Sequence, residues 1–200
     1  AHIDMNWQWS WPETVSVTND TFTTMLNLLD EYPDFIFSQS QASVYRLIEK
    51  YNPEMFLKIK NRVHEGRWEV TASQWVEGDK NMSNGESITR HMLYTRSYFH
   101  EKFGLGSEDI TLDFEPDTFG HPATLPAILT KGGIRYYYHC RGSRGPFLYW
   151  WIGQDGSRLL SLNGMPWYQT IALSNRKQQL HPKIVEPLIE FMRATGLKIL

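Results

Sequence analysis

The sequence holds a single cysteine, Cys140, so no disulfide can form within the chain. The small secreted scaffolds that depend on cystine staples are thereby excluded, and a reducing compartment, the cytoplasm, is the expected location. Runs of about 18 apolar residues are lacking, so no helical membrane span is expected. Net charge is also small: 20 Lys and Arg against 22 Asp and Glu leave −2 at pH 7. Nothing in that balance would draw in phosphates at long range, which argues against a general nucleic-acid binder. Low-complexity segments, linkers, internal repeats and a visible signal peptide are missing as well. The length of 200 residues suffices for a substantial core and suits one domain or part of a larger one. The chain reads as truncated at both ends. It opens on a ligand-like motif with no strand before it, and Leu197-Lys198-Ile199-Leu200 reads as a strand cut short.

What the chain has in abundance is aromatic residues and an alternation of helical and strand patterns. Phe22, Met25, Leu26 and Leu29 recur at helical spacing, which predicts a helix over 19–31, stopped by Pro33. Phe35-Ile36-Phe37 reads as a short buried strand. Helices are predicted over 42–50 and 53–65, the second capped by Asn52, started by Pro53 and stopped by Gly66. A strand at 68–72, a helix at 86–103 closed by Gly104, and a strand at 110–114 follow. A short helix at 122–131 and a strand at 136–140 come next. Gln154-Asp155-Gly156-Ser157 then marks a hairpin turn within 147–162, and a last helix is read over 177–194. This order argues a parallel sheet with helices outside it, open or closed into a barrel. In such folds functional groups gather at the carboxyl ends of strands, and the polar and aromatic clusters fall there.

Two clusters carry chemistry. His2-Ile3-Asp4 places an imidazole and a carboxylate on one side of an extended segment, because strand side chains alternate. That is half of a metal site, and Trp7, Trp9 and Trp11 follow it with flat apolar faces suited to a sugar. The second cluster is Asp113-Phe114-Glu115-Pro116-Asp117-Thr118-Phe119-Gly120-His121-Pro122. Its three acids at i, i+2 and i+4 share one side of an extended strand, Pro116 ends the pairing, and Gly120 allows a tight turn. A carboxylate exposed there can bind a metal, act as a nucleophile, or both. On the residues alone an alternative stays open, in which Asp117 caps the following helix and Asp113 pairs with a lysine.

Taken in order, His2-Ile3-Asp4 with Trp7, the loop from Trp75 to Asp79, and Pro116-Asp117-Thr118-Phe119-Gly120-His121 with Leu125-Pro126 resemble glycoside hydrolase family 38, the α-mannosidases. The likeness runs from residue 1 to about Arg141. It implies an α/β fold: a seven-stranded (β/α) barrel-like glycosidase domain, of which this chain forms only the first part. It also implies one bound zinc ion and retaining, exo-acting hydrolysis of α-mannosidic bonds in glycans. Carried over residue by residue, His2 and Asp4 match zinc ligands, and Asp117 matches the residue that is both zinc ligand and nucleophile. Trp7 and Phe119 match aromatics of the sugar subsite, and Arg141 matches an arginine close to the nucleophile. Glu77 and Asp79 are left open between sugar contacts and a solvated loop.

The resemblance also implies a fourth ligand, a histidine, and an aspartate acid/base, both from segments beyond this chain. His64, His91, His100 and His181 do not sit in a matching context. A retaining glycosidase needs two carboxyl groups about 5–5.5 Å apart, one to attack the anomeric carbon and one to protonate the leaving oxygen. The cis hydroxyls on C2 and C3 of mannose can chelate one ion, whereas those of glucose are not cis. Two other readings are carried: a metal-dependent carbohydrate deacetylase, which would attack with activated water, and a mannose-binding module without catalysis. Whether the protein forms a homo-oligomer is left open.

Overall fold

The computed structural model describes residues 1–142, 146–164 and 186–195. Helix α1 spans Trp11–Glu31, eight residues earlier than the periodicity from Asn19 predicts. The early start follows from a capping box: the Glu13 carboxylate accepts the Ser10 N–H at 2.7 Å and the Ser10 hydroxyl at 2.8 Å. The β-branched run Thr14, Val15, Val17 and Thr18 has poor intrinsic helix propensity. Burial overrides it: Thr14 and Thr18 are fully buried, and the Thr18 hydroxyl donates to the Thr14 carbonyl at 2.8 Å.

Strand β1, Phe37–Gln39, begins two residues after the predicted one and pairs in parallel with β2, Trp68–Val70. Ile36 lies outside it and is exposed. Helices α2, Ala42–Tyr51, and α3, Pro53–His64, lie between these strands, close to their predicted bounds. The Asn52 side chain accepts the Met55 N–H at 3.2 Å, as a cap before Pro53 should. Helix α4, Gly85–Phe103, is capped by Asn84, which accepts the Ser87 N–H at 2.8 Å. It ends at Gly104 with φ 72°, a left-handed stop that favours glycine.

The larger sheet contains β3 (Leu112–Glu115), β4 (Tyr136–His139), β5 (Leu148–Ile152) and β6 (Arg158–Asn163), in the order β3-β4-β6-β5. The first three are parallel, and β5 pairs antiparallel with β6. Helix α5, Leu125–Lys131, links β3 to β4, and α6 covers Glu186–Thr195. The hairpin forms at its predicted place, with the Gly153 N–H donating to the Ser157 carbonyl at 2.8 Å. Among the described residues there are thus six strands in two sheets, and no strand is formed at His2 and Asp4. Ala1 nevertheless lies beside the end of β1, its nitrogen bonded to the Ser38 carbonyl and its carbonyl accepting the Ser40 N–H at 3.3 Å. The first part of the predicted last helix, the predicted end strand at Leu197–Leu200, and His181 lie outside the described residues.

Two apolar clusters hold these elements. One joins α1, α2, α3, β1, β2 and the end of α4 around Trp68, whose ring meets Phe37 at 4.6 Å and Phe22 at 5.0 Å. The Trp68 Nε1–H donates to the Tyr45 hydroxyl at 3.0 Å, so its polar edge is satisfied. The other packs Ile88 and Met92 of α4 and Leu125 and Leu129 of α5 onto Tyr137 and Leu159 of the sheet. These cores fix the strands, and the loops that leave β2, β3 and β4 meet at one end.

Candidate metal centre and active site

Five segments converge there: residues 1–9, the residues after β1, the loop after β2, the loop after β3, and the end of β4. His2 Nε2 lies 3.2 Å from Asp4 Oδ1 and 3.9 Å from Asp117 Oδ2. One ligand atom from each of the three residues lies within 4.8 Å of the others. Ligands about 2.1 Å from a tetrahedral ion lie about 3.4 Å from one another, so this spacing suits a zinc-sized ion. One imidazole nitrogen with carboxylate oxygens is also a donor set such an ion accepts. The three side chains are half-buried, which leaves an approach open.

Glu77 orients the imidazole. Its side chain is 4% exposed and Oε2 bonds His2 Nδ1, so the opposite nitrogen, Nε2, faces Asp4 and Asp117. Glu77 Oε1 accepts the Ser40 hydroxyl, and its backbone N–H donates to Gln41 Oε1 at 3.3 Å. The Gln41 amide in turn donates to the Ile3 carbonyl at 2.7 Å, between the two ligands. Gln41 has φ 62°, the one positive φ outside glycine among the described residues. A strained backbone of this kind costs about 1–3 kcal/mol and persists where the surroundings over-determine it. Bonds to both the oxygen and the nitrogen of the Gln41 amide provide that constraint. Burial opposes a charge on His2, but the Glu77 and Asp4 carboxylates outweigh it and push its pKa up to about 9. The pocket therefore favours positive charge at Nε2.

Asp117 is held from the other side. Its Oδ1 accepts the Arg141 Nε–H, while Oδ2 faces His2. The Arg141 guanidinium also lies over the Phe119 ring at 4.7 Å. Beneath it, the Arg141 carbonyl receives His121 Nε2 at 2.8 Å and His139 Nδ1 at 3.1 Å. A carbonyl only accepts, so each of those nitrogens carries the hydrogen. The opposite nitrogens accept the hydroxyls of Tyr137 at 2.7 Å and Tyr149 at 2.8 Å. Burial lowers the pKa of both histidines, in keeping with these neutral tautomers.

Below the Asp117 loop sits a buried ionic cluster. Lys80 is 2% exposed and bonds Glu115 Oε1, with Asp113 Oδ2 at 3.6 Å. Burial works against the ammonium, and the charges of Asp113 and Glu115 outweigh it and raise the lysine pKa. Asp113 Oδ1 accepts the Ser73 hydroxyl from the loop after β2.

Residues 1–190 match the family model described as the glycosyl hydrolases family 38 N-terminal domain. The chain belongs to glycosyl hydrolase family 38. It is 36% identical over 169 residues to Alpha-mannosidase G of Dictyostelium discoideum, covering 80% of this chain and 15% of that protein. It is 33% identical over 166 residues to Alpha-mannosidase 2C1 of Homo sapiens, covering 80% and 16%. The family 38 chain thus spans about one sixth of the length of these relatives. Among solved structures it resembles an alpha-mannosidase from Enterococcus faecalis V583, with TM-score 0.73, 21% identity, and 82% and 19% of the two chains covered. It also resembles a 4-alpha-glucanotransferase from Thermococcus litoralis, with TM-score 0.66, 14% identity, and 89% and 28% covered. These structural likenesses speak for the fold alone.

Within the family 38 chain, the geometry sorts the residues singled out by the sequence. His2, Asp4, Asp117, Phe119 and Arg141 come together. Trp7 is 66% exposed with its ring edge-on to Trp9 at 5.8 Å. Asp117 does not cap α5, whose N-cap is Thr124, whereas Asp113 does pair with a lysine. Glu77 is neither solvated nor free for a sugar, because His2 and Ser40 occupy both its oxygens. Asp79 accepts the Asn81 N–H at 3.3 Å within its own loop. Ser40, Gln41, Lys80, Tyr137 and Tyr149 were not legible as site supports. They act through partners distant in sequence, and no local spacing announces them.

Proposed function

We propose that the protein is a retaining, exo-acting α-mannosidase acting on α-mannoside glycans, with this chain as the first part of a seven-stranded (β/α) barrel-like catalytic domain. The observation that carries this reading is the placement of Asp117, one oxygen on Arg141 and the other facing His2 beside Asp4. The names of the family's curated relatives supply the substrate class. His2, Asp4 and Asp117 would hold one zinc ion, which when bound supplies a Lewis acid for the cis hydroxyls of mannose. Asp117 attacks the anomeric carbon and forms a covalent glycosyl-enzyme, while the aglycone leaves with a proton from a carboxyl group outside this chain. Arg141 aims Asp117 by donating its Nε–H to Oδ1. Phe119 and Trp7 offer apolar faces to the sugar ring.

The test uses the protein at its natural length with a 2-deoxy-2-fluoro mannosyl donor. Peptide mass spectrometry is expected to find the adduct on Asp117, and Asp117→Ala is expected to abolish turnover of an aryl α-mannoside. Hydrolysis by Asp117→Ala at a rate near that of the parent would overturn the assignment. Release of acetate from an acetylated sugar without any adduct would favour the deacetylase reading. Mannose binding without hydrolysis would favour the binding module.

A further inference from the structure

The buried ions beneath the Asp117 loop have geometry beyond what packing requires. A lysine this deep needs anionic partners, and Asp113 and Glu115 provide them at 1% and 0% exposure. Stability alone does not call for such a group, because apolar side chains of similar volume serve a core as well or better. What charged and hydrogen-bonded groups add is direction. Glu115 uses one oxygen for Lys80 and the other, Oε2, for the Thr118 hydroxyl at 2.6 Å. That same hydroxyl lies 3.1 Å from the Gly78 carbonyl and shares its proton between the two acceptors. Thr118 follows Asp117 directly, and Gly78 follows Glu77 directly. The chain of bonds therefore joins the loop that aims the His2 imidazole to the loop that bears the nucleophile. Lys80 leaves the first loop and Glu115 leads into the second, so the link is made twice.

We propose that Lys80, Glu115 and Thr118 are positioning residues for the metal centre. They form a buried strut that sets the distance between the Glu77 and Asp117 loops, and so between His2 and Asp117. This rests on the reading of His2, Asp4 and Asp117 as zinc ligands. None of the three strut residues touches the ion or the sugar. Their effect is to hold a preformed gap in which the ligand atoms already stand at ion-binding separation.

The experiment measures zinc affinity of the natural-length protein by competition with a chromophoric chelator, with thermal unfolding in parallel. Thr118→Val cuts the tie and leaves every charge in place, and Thr118→Ser keeps the hydroxyl. Lys80→Met with Glu115→Leu replaces the ions by apolar groups of similar size. Thr118→Val is expected to bind zinc at least tenfold more weakly with a melting temperature near the parent's, and the double variant to bind it as weakly at a lower melting temperature, because the buried Asp113 loses its cation. Thr118→Ser is expected to bind as the parent does. Zinc binding within twofold of the parent in Thr118→Val overturns the proposal, even if the double variant fails to fold. Zinc binding lost equally in the Val and Ser variants also overturns it. A parent protein that binds no zinc overturns the metal reading itself, and the strut's role with it.

Discussion

Replacing Glu77 tests the least legible part of the site. Its carboxylate makes two side-chain bonds, to His2 Nδ1 and to the Ser40 hydroxyl, at 4% exposure. Glu77→Ala leaves the His2 ring free to turn about its last torsion and removes the acceptor that fixes hydrogen on Nδ1. Ser40 is not orphaned, because its hydroxyl retains the Ala1 carbonyl at 2.8 Å. The loss should therefore fall on the ion more than on the fold. Loss of a carboxylate that orients a ligating histidine costs 10–100-fold in metal affinity, or about 1.4–2.7 kcal/mol. Glu77→Gln keeps an acceptor oxygen without the charge and is expected near the lower end. Calorimetric zinc titration of the parent and both variants reads the effect directly. Glu54→Gln, on the exposed first turn of α3, serves as a control and should change nothing. Affinity of Glu77→Ala within twofold of the parent would refute the reasoning.

Two further outcomes follow from the geometry. His121 and His139 have pKa values lowered by burial, so their imidazole nitrogen resonances should titrate with midpoints below the ordinary histidine value of about 6.5. The unfolded chain then binds more protons than the fold between that lower value and about 6.5, so their contribution to stability rises with pH across this window. A midpoint at or above 6.5 for either would contradict the paired tyrosine-to-histidine bonds. At Gly104, φ 72° has open space where a side chain would point. Gly104→Ala should then cost only the left-handed backbone penalty, about 1–2 kcal/mol, read as a lower denaturant midpoint with the slope unchanged.

Local patterns carried most of the helices. Asn52-Pro53 and Gly104 punctuate α3 and α4 where their chemistry predicts, and the Asp155-Gly156 turn sets the hairpin. The start of α1 was hidden because β-branched residues argue against a helix until the burial of Thr14 and Thr18 is known. The shift of β1 has a similar origin. Phe35-Ile36-Phe37 is an apolar run, yet the register of a parallel pair is set by its partner, and Trp68 pairs with Phe37. At the site, residue type and order marked His2, Asp4 and Asp117, which the fold brings together. Their supports were invisible because His2 and Glu77 are 75 residues apart, and Lys80 and Glu115 are 35 apart.

The segment at residues 1–9 contributes two side chains to the candidate metal centre but forms neither helix nor strand. Its hold on the domain includes the buried Ile3, the Gln41 bond to the Ile3 carbonyl, the Thr14 bond to the Met5 carbonyl, the His2 bond to Glu77, and the pairing of Ala1 with β1. Such a segment belongs to the low end of the local-unfolding scale, where amide hydrogen exchange is fast. An ion that binds only the closed form slows that opening by mass action, by about 2.7 kcal/mol at a free concentration 100 times its dissociation constant. A chelator should then speed exchange across this stretch while the amides of α2 and α3 keep their protection. In that sense a metal ion held by His2, Asp4 and Asp117 would double as a latch, coupling the order of this strap to the supply of the ion.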